Sequence, residues 1–164
     1  MHSILVISLL RKVFKRVARD FRQPLDLGRI GERAAKEYLE RVAGYRIVAT
    51  NVRISVGRSL EGRRLFGEID IVAYDRQTLV FVEVKTRGSN SVVAPSRNVD
   101  LRKQRRIARA ALRYRQLMKV TSEPYRYDVV SVVADRSLMK PELLRGYFDD
   151  AVFSRARRFA LLLV

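Results

Sequence analysis

Two short apolar runs, three residues apart, carry ionisable groups where a buried strand normally has none. The first is Phe66-Gly67-Glu68-Ile69-Asp70-Ile71-Val72-Ala73-Tyr74 and the second is Thr78-Leu79-Val80-Phe81-Val82-Glu83-Val84-Lys85-Thr86. Both are rich in β-branched residues, and Asp75-Arg76-Gln77 between them is short enough for a hairpin. Runs this apolar read as central strands of a sheet with helices on its faces. A charge on such a strand is costly unless it is paired or bound to metal. Asp70, Glu83 and Lys85 are therefore candidates for a functional site.

The flanking segments complete an architecture. Asp26 to Val42 has the spacing of a helix, with Asp26 as its cap, Leu27, Ile30, Ala34, Ala35, Tyr38, Leu39 and Val42 as its apolar stripe, and Gly44 as its stop. Tyr45 to Ile54 reads as a strand, and the polar stretch Ser55 to Leu65, with Gly57 and Gly62, as a loop. Gly88 to Asn98, containing Pro95, is a second polar loop. Val99 to Val120 has the pattern of a long helix, Tyr125 to Ala134 of a fourth strand and Leu143 to Phe148 of a short edge strand. Asp149 to Phe159 reads as a closing helix before an apolar tail at Ala160 to Val164. The order helix-strand-strand-strand-helix-strand gives an α/β fold, a central mixed sheet of four or five strands flanked by helices. A chain of 164 residues suits one such domain, here 27–164. In the preceding residues 1–26, Ile4, Leu5, Leu9, Val13, Phe14, Val17 and Phe21 recur at helical spacing among basic residues. This basic amphipathic extension would pack on the domain or on a second copy, or reach a membrane surface or nucleic acid.

Strand periodicity places Glu83 and Lys85 on one face and Val84 on the other. Asp70, on the preceding strand, can lie beside Glu83. Two adjacent carboxylates repel each other unless a cation or proton intervenes, and hard oxygen ligands suit Mg²⁺ or Mn²⁺. The carbonyl of Val84 is a natural further ligand. Such an ion polarises a phosphodiester oxygen and lowers the pKa of a bound water, while Lys85 would orient the water or meet the developing negative charge. The rival reading of the same residues is a salt bridge of Lys85 with Asp70 or Glu83. Elimination favours metal chemistry. The chain has no cysteine and a single histidine, His2, so thiolate, zinc and histidine-based triads are implausible.

The charge balance points to a polyanionic partner, or else serves solubility. Lys plus Arg is 34 against 17 Asp plus Glu, a formal +17, which attracts polyanions: nucleic acid first, an anionic membrane surface second. Along the long helix, Leu101, Ile107, Ala108, Ala111, Leu112 and Met118 share one arc. Arg102, Arg105, Arg106, Arg109 and Arg113 share another, which suits phosphates along a backbone; the rival reading is a solvated face, which usually mixes signs, and this one has no acid between Leu101 and Lys119. Lys103 lies between the arcs and Arg87 just beyond the second apolar run; both are phosphate candidates. Gln104 falls in the apolar arc, as a support for the site or a buried amide. Glu32 falls at the edge of its helix's apolar stripe, where it can reach the sheet or simply favour the helix N-terminus. Glu68 would line the site or pair with an arginine.

The patterns Gly28-Arg29-Ile30-Gly31-Glu32, Gly67 to Ala73, Val80 to Arg87 and Lys103 to Ile107 together resemble the YraN-like family of uncharacterised bacterial proteins, over about residues 27 to 134. That family is similar to restriction-endonuclease-like PD-(D/E)xK nucleases and archaeal Holliday-junction resolvases. The resemblance implies metal-dependent cleavage of DNA, branched DNA included, with Asp70 and Glu83 as metal ligands, Lys85 as the catalytic lysine and Glu32 as an additional helix carboxylate. Two features depart from the pattern: the long stretch Ser55 to Leu65 and the extra residues 1–26. The expectation is a cytoplasmic, Mg²⁺- or Mn²⁺-dependent endonuclease, or a non-catalytic nucleic-acid-binding protein on the same fold. No run approaches the ~20 apolar residues of a membrane span. A branched substrate would favour a homodimer, since two cuts need two sites.

Overall fold

A computed structural model describes residues 27–88, 99–135 and 138–154. The expected extension over 1–26 with its Asp26 cap, the loop around Pro95 and the apolar tail lie outside the described residues. The elements are α1 (Leu27–Arg41), β1 (Arg46–Arg58), β2 (Arg64–Asp75), β3 (Thr78–Gly88), α2 (Leu101–Met118), β4 (Tyr125–Asp135) and β5 (Leu138–Phe148), then one 3-10 turn (Asp150–Val152). The sheet runs β1-β2-β3-β4-β5. All neighbours are antiparallel except β3 and β4, which α2 connects in parallel. This is the expected α/β class, with five strands. Among the described residues no helix is long and apolar enough to cross a membrane.

Each face of the sheet has its own core. Ile30, Ala34, Ala35 and Leu39 of α1 cover Ile71, Val80, Val82, Val130 and Val132. Ile107, Ala108, Ala111 and Tyr114 of α2 cover Ile69, Val72, Leu79, Phe81 and Val129. The even and odd residues of β3 thus go to opposite helices, which explains why the run is apolar throughout. Gly31 brings α1 onto β3: a Cβ there would stand 1.7 Å from Thr86 Oγ1.

Three expectations change. The stretch Ser55 to Leu65 is mostly strand, because β1 and β2 continue as a two-stranded arm with Ser55 opposite Phe66 and Arg58 opposite Arg64. Pairing of β2 with β3 begins only at Ile71 and Val82, so this arm has no third strand and little burial, and it shows no apolar alternation to read. The buried face of α2 is also rotated. Leu112 and Met118 are 46% and 55% exposed, whereas Ala110, Tyr114 and Arg115 are buried. The helix packs on the arm: a Cβ on Gly67 would lie 2.8 Å from Ala110 Cβ. The closing helix is a 3-10 turn as far as residue 154, and Asp149 caps it through the Ala151 N–H.

The start of α2 is set by Asp100, whose side chain accepts the Lys103 N–H at 2.7 Å. It ends on Lys119 in the left-handed region, φ 58°.

Candidate active site

The site forms where β2 leaves β3. Ile69 is buried on the α2 side and Ile71 on the α1 side, although strict alternation would put them on one face. The strand therefore changes face at Asp70, beside Asn51, whose φ is 53°. With β2 departing, the Val84 N–H of β3 has no strand partner on that edge. Asp70 Oδ2 accepts it at 2.7 Å. A strand residue's N–H and C=O lie on the same edge, so the Val84 carbonyl faces the same opening.

Glu83 lies one residue back, on the α2 face. It is 2% exposed. Lys85 Nζ stands 3.1 Å from its Oε1, and Lys103 Nζ, reaching down from the first turn of α2, 3.0 Å from the same atom. Oε2 is buried without a hydrogen-bond partner. Burial is the first cause, and the nearby Glu83 charge the second, of an Asp70 pKa pushed up to about 6. The Val84 N–H and Lys103 oppose that rise, and Glu32 adds to it. Glu32 faces Asp70 across a cleft of about 480 Å³ that Arg29, Arg33, Lys36 and Asn51 also line.

Asp70, Glu83 and Lys85 thus converge, with Val84 contributing backbone and Glu32 across the cleft. Lys103, the phosphate candidate between the two arcs of α2, pairs with Glu83, because the first turn of α2 sits directly over β3. Gln104 does not reach the carboxylates; its Nε2 donates to the Val99 carbonyl at 2.7 Å and holds the chain entering α2. Glu68 is exposed, 4.0 Å from Arg53 Nε on the neighbouring strand, and does not line the site. Arg87 is half-buried near the end of β3. Arg102, Arg106, Arg109 and Arg113 are exposed along α2. Arg105 departs from that stripe, donating to the Val152 carbonyl at 2.9 Å and tying α2 to the C-terminal turn.

Sequence reasoning missed Arg29, Arg33 and Lys36. Their spacing of four and three residues, with Glu32 between them, marks one helix face and was the available signal. It also missed Arg115, which is buried with its guanidinium 3.6 Å from the centre of the Tyr125 ring.

The residues can be tested against a divalent ion. Among the described residues no three acidic or histidine side chains form a ready-made cage. Asp70 and Glu83 alone offer two carboxylates in one desolvated place, one with an orphaned oxygen and the other with raised proton affinity. That donor set, with a backbone carbonyl, fits a hard cation that completes its shell with water.

Comparison with known proteins places the chain. A UPF0102 protein of Syntrophus aciditrophicus is 40% identical over 129 residues, 79% of this chain and 93% of its own. One of Solibacter usitatus is 41% identical over 143 residues, 87% of this chain and 100% of its own. The crystal structure of SSO0001 matches 84% of this chain and 60% of that one at 15% identity and a TM-score of 0.37, which carries no argument about the site. The model of the uncharacterised protein family UPF0102 matches residues 31–132. The chain belongs to that family, the YraN-like group its motifs pointed to.

Proposed function

We propose that this protein is a metal-dependent nuclease that hydrolyses phosphodiester bonds of DNA in the cytoplasm, with Asp70, Glu83 and Lys85 at its centre. The observation that carries the reading is the buried Glu83 carboxylate with Oε2 unpartnered, next to a second carboxylate whose proton affinity burial and the Glu83 charge raise. A buried anionic oxygen without a donor is destabilising, and a bound cation relieves it.

Asp70 and Glu83, with the Val84 carbonyl, would hold Mg²⁺ or Mn²⁺, which would neutralise charge at the scissile phosphate and acidify an attacking water. Lys103 keeps Glu83 Oε1 in place. The Lys85 side chain, 32% exposed with its ammonium 3.1 Å from Glu83 Oε1, would orient water or meet the charge that grows on the phosphate. Arg29, Arg33 and Lys36 on one side, and Arg102 and Arg106 of α2 on the other, hold the strand by its phosphates. A branched substrate would need two such sites, as a symmetric dimer supplies.

One observation favours a second reading, a binding protein without cleavage: both lysines sit on one oxygen of Glu83, as in a satisfied ion-pair cluster. Linear, forked and four-way DNA substrates with Mg²⁺ or Mn²⁺ decide between them. The nuclease reading expects metal-dependent nicking that falls by about 10²-fold or more in Asp70→Asn and Lys85→Ala. Tight binding without nicking by the wild type supports the second reading.

A further inference from the structure

A groove of about 580 Å³ runs between the β1–β2 arm and α2. Arg58 and Arg64 stand on its arm side, Arg109 and Arg113 on its helix side, and no acidic residue lines it. Leu112 and Leu117 at its edge are 46% and 50% exposed. Arg58 Nη1 donates to the Gly62 carbonyl at 2.9 Å, so the arm's own turn holds that guanidinium in place. Four guanidinium groups around one groove repel one another unless an anion joins them. Their planar forks match phosphate oxygens, and the apolar floor suits the sugar faces between successive phosphates.

The groove is not the carboxylate site, and the elements give its distance from it. The Lys103–Arg113 stretch of α2 spans about 15 Å at about 1.5 Å per residue. The Asn51–Gly57 stretch of β1 spans about 20 Å at about 3.3 Å per residue. Both rulers start beside the carboxylates and run to the far side of the groove, whose near edge at Arg109 and Ile54 lies about 9–10 Å along the same elements. From near edge to far side the separation corresponds to about three to six base-pair steps at about 3.4 Å each.

We propose that this groove is a second phosphate-binding site, which grips one strand of a duplex arm about five base pairs from the carboxylates. The proposal rests on the nucleic-acid reading above and adds a length requirement: a duplex too short to reach the groove loses these contacts. The arm is then a substrate-gripping element, which gives Arg58 and Arg64 a role that the carboxylate site does not.

The test is the salt dependence of DNA binding by the full chain in chelator, where cleavage cannot interfere. On a duplex of about 20 base pairs, Arg58→Ala/Arg64→Ala should make the slope of log affinity against log salt shallower by about 1.8, at about 0.9 per lost phosphate contact. A fourfold rise in salt then weakens the variant about tenfold less than the wild type. Arg109→Ala/Arg113→Ala, on the opposite side, should behave alike. On a hairpin-closed stem of about four base pairs, which falls short of the arm arginines, wild type and Arg58→Ala/Arg64→Ala should share one slope. Unchanged slopes on the long duplex, with binding retained, overturn the proposal and leave the groove to a protein partner or a second copy. Equal loss on long and short stems overturns it too, because the arginines then act as a diffuse field. Failure of the wild type to bind any duplex removes the nucleic-acid reading itself, and this inference with it.

Discussion

Asp70→Asn removes a charge that the fold disfavours, and its effect can be worked out in advance. The Asp70 pKa rises from 3.8 to about 6 on folding, through burial first and the Glu83 charge second. About two units at about 1.4 kcal/mol each correspond to 2–3 kcal/mol. Between those two pH values the folded protein holds a proton that the unfolded chain has released. Stability therefore falls as pH rises through this window, and the whole penalty is present above about pH 6. An asparagine oxygen still accepts the Val84 N–H, so the local geometry survives. Without divalent metal, Asp70→Asn should exceed the wild type by about 2–3 kcal/mol near pH 8, or about 5–10 °C in Tm. The advantage should shrink towards zero near pH 4. Urea unfolding across that range measures it. Added Mn²⁺ should then raise the Tm of the wild type more than that of the variant, since only the wild type retains both carboxylates. A variant less stable than wild type near pH 8, or a difference that ignores pH, refutes the reasoning about a strained carboxylate pair.

Three further outcomes follow from packing and pairing. Lys103→Met takes one of two cations from a buried carboxylate and should destabilise by about 1–3 kcal/mol; in a Glu83→Gln background the loss should be smaller, as a double-mutant cycle in urea would show. Gly31→Ala sets a methyl against Thr86 and should lower the urea midpoint by the equivalent of about 1–3 kcal/mol, with partial recovery in Thr86→Ala, since the Thr86 Cβ is itself within 2.7 Å. Tyr45→Phe deletes the hydroxyl that donates to the buried Asp128 at 2.9 Å. It should cost about 1–3 kcal/mol of stability while leaving any nicking per folded molecule unchanged, because the hydroxyl bonds to Asp128, Arg126 and Arg145 and not to Asp70 or Glu83.

The resemblance to a known family was legible because its motifs are local. Gly28 to Glu32, the hairpin runs and Lys103 to Ile107 each occupy a few consecutive residues, and family membership rests on that same stretch. The neighbourhood of Glu83 was only half legible. Lys85, two residues along a strand, had to share its face. Lys103 is far along the chain, and only the docking of α2 on β3 brings it to the same oxygen. The cleft cations of α1 escaped for a related reason. Which face of an amphipathic helix looks towards a given strand end depends on how it is packed, here through the approach at Gly31.

By itself the sequence determined the class of fold, the hairpin, the common face of Glu83 and Lys85, and the strongly basic surface. These follow from short-range periodicity and from composition, which need no knowledge of distant partners. Only the tertiary structure decided that β2 parts from β3 at Asp70, that its carboxylate captures the Val84 N–H, and that one oxygen of Glu83 is buried without a partner. It also decided that Ser55 to Leu65 forms an arm with an arginine-lined groove against α2. An arm that projects beyond the third strand, and meets α2 near its base at Ile54 and Gly67, imposes little pattern on its outer residues, and the solvation of a single carboxylate oxygen depends on atoms from elements far apart in the chain.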